Sequence, residues 1–548
     1  MIGSETRPPA ARIRSNDRIE PGGLNPGASE NPGDLEISYA GRTAIQEVMS
    51  SSTSSSIACD AESLLDADAA PRFTVAVIGG GFSGSLFAMK LARAQPNARV
   101  VLIERDRRVG RGLAYGACDG RHLLNVPVHR MEVGLDPGFG EWLAQRKVLL
   151  GEALVESDGD LAGSYVPRAL FGAYMEEQVA RSASRDRGRG LVVVRGEAVR
   201  LLDEPARGVL LSDGREIAAD MIVLATGNLP PRPPSTVDPW LYDTQLFVPD
   251  PWADDAFEGL DADAPIVLLG TGLTMVDVAL KLAADGHVGT MLAISRRGLV
   301  PLVHRAGGTW SPFHDSVAHA SPRRWMRLIR EQAREAEALG VPWQRVMDAV
   351  RPGVARIWHS WSEADRGRFL RHARPRWDVH RHRMAPRVAT QLSALVAGDQ
   401  LVIRAGRITA YRPKNDAVEV TWVGRGKGTP CTLTVARVVN CTGPRSDMDR
   451  LAFPLLADLR RRGLVSPDAL GLGLETNDCA VLERSGRVSS WLYALGPLTR
   501  PTWWEVVAVP EINAQIDRLV RDRTLPPDAD RTPETSLADT FADLGAGI

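Results

Sequence analysis

Two different rhythms of apolar and polar positions run along this chain. The run Phe73–Ile78 is short, β-branched and almost wholly apolar, the pattern of a parallel strand buried on both faces. Glycines follow, then apolar residues at helical spacing over 85–94, then a second apolar run over 99–103. Strand, glycine turn, helix and strand in this order predict a βαβ unit. The same order returns from Pro265: an apolar run over 266–269, a turn at Gly270, a helix to about Ala284 and a strand over 290–294. The segments between the two units do not match, so they are two separate units and not a tandem repeat.

Between 305 and 397 the rhythm changes to Arg, Ala and Trp at helical spacing, which predicts a mainly helical insertion. Strand-like runs return over 401–404, 417–423 and 437–440. Residues 1–70 are rich in Gly, Pro, Asn and Ser and bury too little apolar surface to offset ordering, so a disordered tail is expected. The expected fold class is α/β, with two Rossmann-like dinucleotide-binding domains. The expected boundaries are a first part of an FAD-binding domain over 71–235, an inserted NADPH-binding domain over 236–435 and a second FAD part over 436–522. A polar tail over 523–548 completes the chain.

Composition narrows the function classes. The 66 basic and 67 acidic side chains nearly cancel, which gives no electrostatic case for nucleic acid or an anionic membrane as partner. No run approaches the roughly 18 apolar residues of a membrane span, and no apolar signal segment follows Met1. A cytoplasmic protein is the simplest expectation, with a homo-oligomer left open. The five cysteines, Cys59, Cys118, Cys431, Cys441 and Cys479, include no CxxC pair. That argues against disulfide-reductase chemistry and against a zinc site, and no metal is expected.

The first glycine cluster, Gly79-Gly-Gly-Phe-Ser-Gly84, fits G-x-G-x-x-G in its required place between strand and helix. Gly79 permits the tight turn, Gly81 lets backbone approach a pyrophosphate, and Gly84 lets helix and strand pack closely. Phe82 and Ser83 open the helix, whose free N–H groups and positive dipole end suit phosphate. Glu104, twenty residues past Gly84, can accept hydrogen bonds from ribose and would repel a 2′-phosphate. This site suits FAD or NAD better than NADP.

The second cluster, Gly270-Thr-Gly-Leu-Thr-Met275, keeps Gly270 and Gly272 but carries Met275 at the third glycine position, so looser helix–strand packing is expected there. Leu273 and Thr274 open its helix. Its second strand ends in Ser295-Arg296-Arg297 with no acid. Arginines there either pair with a 2′-phosphate, which favours NADPH, or are simply solvated.

The motifs Val77-Ile-Gly-Gly-Gly-Phe-Ser-Gly84, Arg111-Gly-Leu-Ala-Tyr-Gly116, His122-Leu-Leu-Asn-Val-Pro127 and Tyr165-Val-Pro-Arg168 together resemble one family. So do Gly270-Thr-Gly-Leu-Thr-Met-Val-Asp277, His380-Arg-His-Arg-Met-Ala-Pro386, Asn440-Cys-Thr-Gly-Pro444 and Trp504-Glu505. The resemblance, over about residues 73 to 520, is to FAD/NAD(P)-binding proteins of the two-dinucleotide-binding-domain flavoproteins. That group includes or borders flavin monooxygenases that oxidise the amino group of aspartate toward nitrosuccinate. The resemblance implies FAD held by Gly79, Gly81, Gly84 and Glu104, with the adenine near Val199. Thr226, Gly227 and Gly443 would mark the crossings between the domains. Asn125 would either touch the isoalloxazine edge or cap the turn before Pro127.

Two cofactors imply hydride transfer from NADPH to FAD. The electrons then go to molecular oxygen as a C4a-peroxyflavin that oxygenates a small-molecule substrate, or to another acceptor in a reductase. A nicotinamide-free oxidase and a regulatory protein without turnover also stay open. His304, Arg305, Arg381 and Arg383 are the candidate substrate contacts, because arginine binds carboxylate in a bidentate fork and an acidic amino acid would fit.

Overall fold

A computed structural model describes residues 73–116, 120–146, 159–185, 190–203, 206–229, 231, 239–313, 320–426, 428–444 and 453–524. The tail expected over 1–70 lies outside them, as does all of the second tail but its first two residues. Those two close a helix that runs to Thr524.

The first unit begins with strand β1 (Phe73–Ile78), helix α1 (Phe82–Ala94) and strand β2 (Ala98–Glu104). β1 pairs in parallel with β2, Val77 opposite Leu102. Helix α2 (Arg168–Arg185) leads to β3 (Leu191–Arg195), which pairs with β2. Strands β4 (Ala198–Leu202), β5 (Gly208–Leu211) and β6 (Glu216–Ala218) form a separate antiparallel sheet, and β7 (Met221–Leu224) returns beside β1.

The chain then leaves this sheet. Strands β8 (Phe247–Val248), β9 (Ile266–Leu269) and β10 (Met291–Ser295) start a second one, with helix α3 (Leu273–Ala284) between the last two. Helices α4 (Pro322–Ala338), α5 (Trp343–Val350), α6 (Val354–Ser360), α7 (Arg374–Arg381) and α8 (Pro386–Ala397) carry the chain to β11 (Leu401–Lys414). β12 (Ala417–Gly424), β13 (Pro430–Val435) and β14 (Arg437–Asn440) complete the second sheet, in the order β13-β12-β11-β10-β9-β14-β8. Last, β15 (Thr476–Asn477), β16 (Ala480–Leu482) and β17 (Val488–Ala494) rejoin the first sheet, ordered β15-β16-β17-β7-β1-β2-β3, and helix α9 (Val509–Thr524) packs on α1. The architecture is mixed α/β with parallel strands at the heart of both seven-stranded sheets.

One expected boundary moves. Strand β14 does not belong to the returning FAD segment that was expected from residue 436. Val438 and Val439 lie fully buried between β9 and β8, so their apolar pair is spent inside the second sheet.

The helical segment has a core of its own in Trp325, Trp358, Trp361, Phe369 and Trp377. Trp504, from the stretch before α9, stacks on Trp358 at 4.6 Å between ring centroids. Burying that much aromatic surface fixes the helical segment to the C-terminal stretch. No helix among the described residues is long and apolar enough to cross a membrane.

Candidate active site

At the first glycine turn the residue choices are dictated by contact. Gly79 has φ +103°, and a Cβ there would lie 2.4 Å from the Ala225 carbonyl oxygen. A Cβ on Gly84 would fall 1.9 Å from the Gly79 carbonyl oxygen, so only glycine lets α1 sit this close to the turn. Gly81 precedes the first helical residue, Phe82, and faces the backbone of Gly112. Ser83, in the first turn of α1, lies beside Gly496, where β17 ends. The Gly496 N–H donates to Gln515, which in turn holds Thr499. The return segment thus reaches the helix N-terminus.

Glu104 does more than the sequence reading expected. Its carboxylate accepts the Gly80 N–H at 2.7 Å and the Asp106 N–H at 2.9 Å. Burial pushes its pKa above the usual carboxylate value, against the pull of those N–H groups. The acid therefore ties the glycine turn to the end of β2. Each oxygen keeps a second lone pair for a ribose hydroxyl. Thr226 and Gly227 follow β7 at the same edge, and the Thr226 hydroxyl is buried with no hydrogen-bond partner among the described residues. Val199 sits half-buried on β4, in the small antiparallel sheet.

The second turn repeats the design with a change. Gly270 has φ +112° and abuts the Cys441 carbonyl oxygen, 2.5 Å from where a Cβ would lie. Gly272 caps α3, with nothing within 4 Å of its would-be Cβ. That open face before a helix N-terminus is the space a pyrophosphate needs. Leu273 and Thr274 form the first helical turn beside it, half-buried. Met275 does not leave the packing loose as expected. It is fully buried, its side chain filling the core between helix and sheet. Gly443, with φ +78°, lies beyond β14 with open space around it.

At the end of β10 the Ser295 hydroxyl is occupied by the protein itself. It accepts the Gly298 N–H at 2.9 Å and meets the Thr271 hydroxyl at 2.8 Å. These bonds shape the turn. Arg296 is exposed. Arg297 donates to the Arg371 carbonyl at 3.0 Å. Burial, then the nearby guanidiniums of Arg296, Arg376 and Arg425, hold its pKa below the usual arginine value. Arg376 and Arg425 come from distant segments, and the sequence gives no spacing that would have joined them to this group.

Two of the contacts that join the units lie beside the second glycine turn's helix and the 122–131 loop. Arg168, at the start of α2, pairs with Asp277 on α3 at 2.9 Å, and also donates to the Leu123 carbonyl at 2.8 Å. His304 bonds the Asn125 carbonyl oxygen through Nε2 at 2.8 Å. Desolvation, reinforced by Arg383, lowers the His304 pKa to about 3, so the ring is neutral and Nε2 carries its proton. Tyr165 packs against this ring at 5.7 Å, its pKa pushed up to about 12 by burial.

Of the other expected substrate contacts, Arg305 is exposed and offers only its carbonyl to Arg345. Arg381 is buried and committed to Glu505 at 3.1 Å and Glu511 at 2.9 Å. Arg351 holds the same Glu511 through two nitrogens, and the two guanidiniums lower the Glu511 pKa to about 2. Arg383 pairs with Asp348 at 2.6 Å. Three of the four candidates therefore gather at one region, two of them already holding carboxylates. Arg130, Arg345 and Asp348 belong to the same region and were missed. Arg130 lies in a short turn whose sequence shows no motif.

This fold and these paired glycine turns define the architecture of the two-dinucleotide-binding-domain flavoproteins. Residues 76–229 match the family model described as FAD-NAD(P)-binding. The chain is 23% identical over 519 residues to an uncharacterised protein of Mycobacterium tuberculosis, covering 81% of this chain and 94% of the relative. It is 29% identical over 289 residues to the L-aspartate N-monooxygenase (nitrosuccinate-forming) of Streptomyces cremeus, covering 44% and 43%. Among solved structures, the ornithine N-hydroxylase of Kutzneria sp. 744 superposes with TM-score 0.55 at 15% identity, over 83% of this chain and all of that one.

Proposed function

We propose that this protein is an NADPH-dependent FAD monooxygenase that oxygenates the amino nitrogen of a small acidic substrate such as L-aspartate. The observation that carries this reading is the pair of glycine turns, one in each of two units that Arg168–Asp277 and His304–Asn125 join. The similarity to an aspartate N-monooxygenase and the fold shared with an ornithine N-hydroxylase support it.

FAD, once reduced by NADPH, supplies the activation of molecular oxygen. Gly79, Gly81, Gly84 and Glu104 would hold the adenine dinucleotide of FAD. Gly270, Gly272 and the first turn of α3 would hold the pyrophosphate of NADPH, with Arg296 and Arg297 toward its 2′-phosphate. The open face at Gly272 and the acid-free arginine group fit those parts. The Arg168–Asp277 pair fixes α3 against the 122–131 loop, as hydride transfer between two bound cofactors requires. His304 holds the Asn125 backbone without carrying charge. The thiols of Cys441 and Cys479 are buried, with pKa values raised by desolvation, and take no part in the chemistry.

The test is NADPH oxidation in air by the purified, FAD-loaded protein, with aspartate in a panel of amines and hydrogen peroxide quantified. The expected result is an oxygenated product with lowered peroxide release for one acidic amine. Reduction of FAD by NADPH with no oxygenated product from any amine would replace this reading with a reductase.

A further inference from the structure

Helix α5 turns one face inward, and Gln344 and Asp348 share it at i, i+4 spacing. Asp348 serves two arginines at once, Arg383 at 2.6 Å and Arg345 at 2.9 Å. Arg381 and Arg351 are matched by Glu505 and Glu511. Arg130 reaches the same region from the first unit, in the turn Val128–Met131. Its half-buried guanidinium makes no ion pair or hydrogen bond among the described residues; Arg351, Arg345 and Arg381 repel it and Asp348 attracts it. Five guanidiniums thus face three carboxylates, an excess of two positive charges.

A half-buried cation without a counterion of its own, beside buried arginines, is relieved when an anion completes the arrangement. The remaining polar atoms point to the same need. The Nε atoms of Arg345, Arg381 and Arg383 are buried with no hydrogen-bond partner among the described residues, and so are the Gln344 Oε1, the Asp348 Oδ2 and the Glu505 Oε2. The unspent guanidinium donors suit a carboxylate, and the unspent acceptors suit an N–H group. The hydroxyl of Tyr165 lies under the electrostatic influence of Arg383, Arg345 and Arg130. The cluster adjoins the loop that His304 holds at Asn125.

We propose that Arg130, backed by Arg345 and Arg383, is the binding site for a dicarboxylate, the acidic part of the substrate. The assignment rests on the monooxygenase reading for the word substrate, but the anion site stands on its own charges. It also relocates recognition: Arg381 serves Glu505 and Glu511, and Arg130 from the other unit carries the specificity. Closing this site with a ligand draws on both units at once, since Arg130 precedes β3 and Arg345 follows β10.

The experiment is titration calorimetry of FAD-loaded protein with succinate, in saturating NADP⁺, for the wild type, Arg130→Gln and Arg130→Lys. Succinate has the two carboxylates and no amine to oxidise. The expected result is 1:1 binding weakened at least about tenfold by Arg130→Gln and less by Arg130→Lys, with FAD content and melting temperature kept in both. Absence of succinate binding, equal binding by wild type and Arg130→Gln, or inorganic phosphate binding as tightly as succinate would each overturn the proposal. Arg130-dependent succinate binding without any oxygenated product would keep the site and remove the monooxygenase reading. Arg130-independent oxygenation of neutral amines would do the reverse. Should Arg130→Gln lose FAD, Arg130→Lys alone decides, by an intermediate or an unchanged affinity.

Discussion

Arg168 and Asp277 face each other at 2.9 Å across the line between the two sheets, one at the start of α2 and the other on α3. Both side chains are largely buried, at 15% and 8% exposure. Removing one partner from such a pair strands the other, at a cost of about 3 kcal/mol or more. Asp277→Ala should therefore destabilise the protein by that order. It should also slow FAD reduction by NADPH about tenfold or more, because α3 loses its hold on the 122–131 loop. A double-mutant cycle with Arg168→Ala checks it, and a coupling energy near zero would deny the pair its joining role.

The two glycine turns should respond oppositely to the same substitution. Gly84→Ala forces a Cβ to within 1.9 Å of the Gly79 carbonyl oxygen and should yield unstable protein without FAD. Gly272→Ala meets nothing within 4 Å and has ordinary backbone, φ −85°, so stability should hold to within about 0.5 kcal/mol. Its methyl group would occupy the space assigned to the NADPH pyrophosphate, so the NADPH KM should rise sharply. An unchanged KM would move the dinucleotide elsewhere.

How far these sites could be read from sequence depends on the range of each interaction. The turns at 79–84 and 270–275 are local, since glycine and its helix lie within a few residues, and the motif places them correctly. Met275 was misjudged because a sequence shows that glycine is missing but not that a pocket receives the larger side chain. The turn-forming part of Ser295 was not legible, since Gly298 and Thr271 come to it only once the turn has closed. Arg381 and Arg383 were visible in the motif over 380–386, yet their commitments depended on Glu505, Glu511 and Asp348, as far as 130 residues away. Arg130 stood outside that motif altogether.

Cofactor preference should follow the arginines at the end of β10. Arg296, Arg376 and Arg425 all act on Arg297. Arg296→Ala with Arg297→Ala should raise the KM for NADPH far more than that for NADH, by about tenfold or more if a charge-assisted fork is lost. Steady-state oxidation of the two nucleotides checks it. Equal effects on both would show that these arginines serve packing, as the Arg297 bond to the Arg371 carbonyl already does in part.

Acid should weaken this fold through His304. Its pKa is lowered to about 3 by burial and by Arg383, while an unfolded histidine titrates near about 6.5. Between those values the unfolded chain takes up a proton that the folded one refuses. Stability is therefore complete above the unfolded pKa and falls as pH drops toward the folded one. From pH 6.5 to 5 the loss from this residue alone is about 2 kcal/mol. Glu511, lowered to about 2 by Arg351 and Arg381, adds a loss only below its unfolded value of 4.5, so the two are separable by pH. His304→Gln keeps an amide able to donate to the Asn125 carbonyl but cannot take up the proton. Melting temperatures at pH 7 and pH 5 should fall less between the two conditions for His304→Gln than for the wild type. An equal fall in both proteins would mean that the imidazole is not held neutral against Asn125, and the uncharged contact between His304 and that loop would have to be given up.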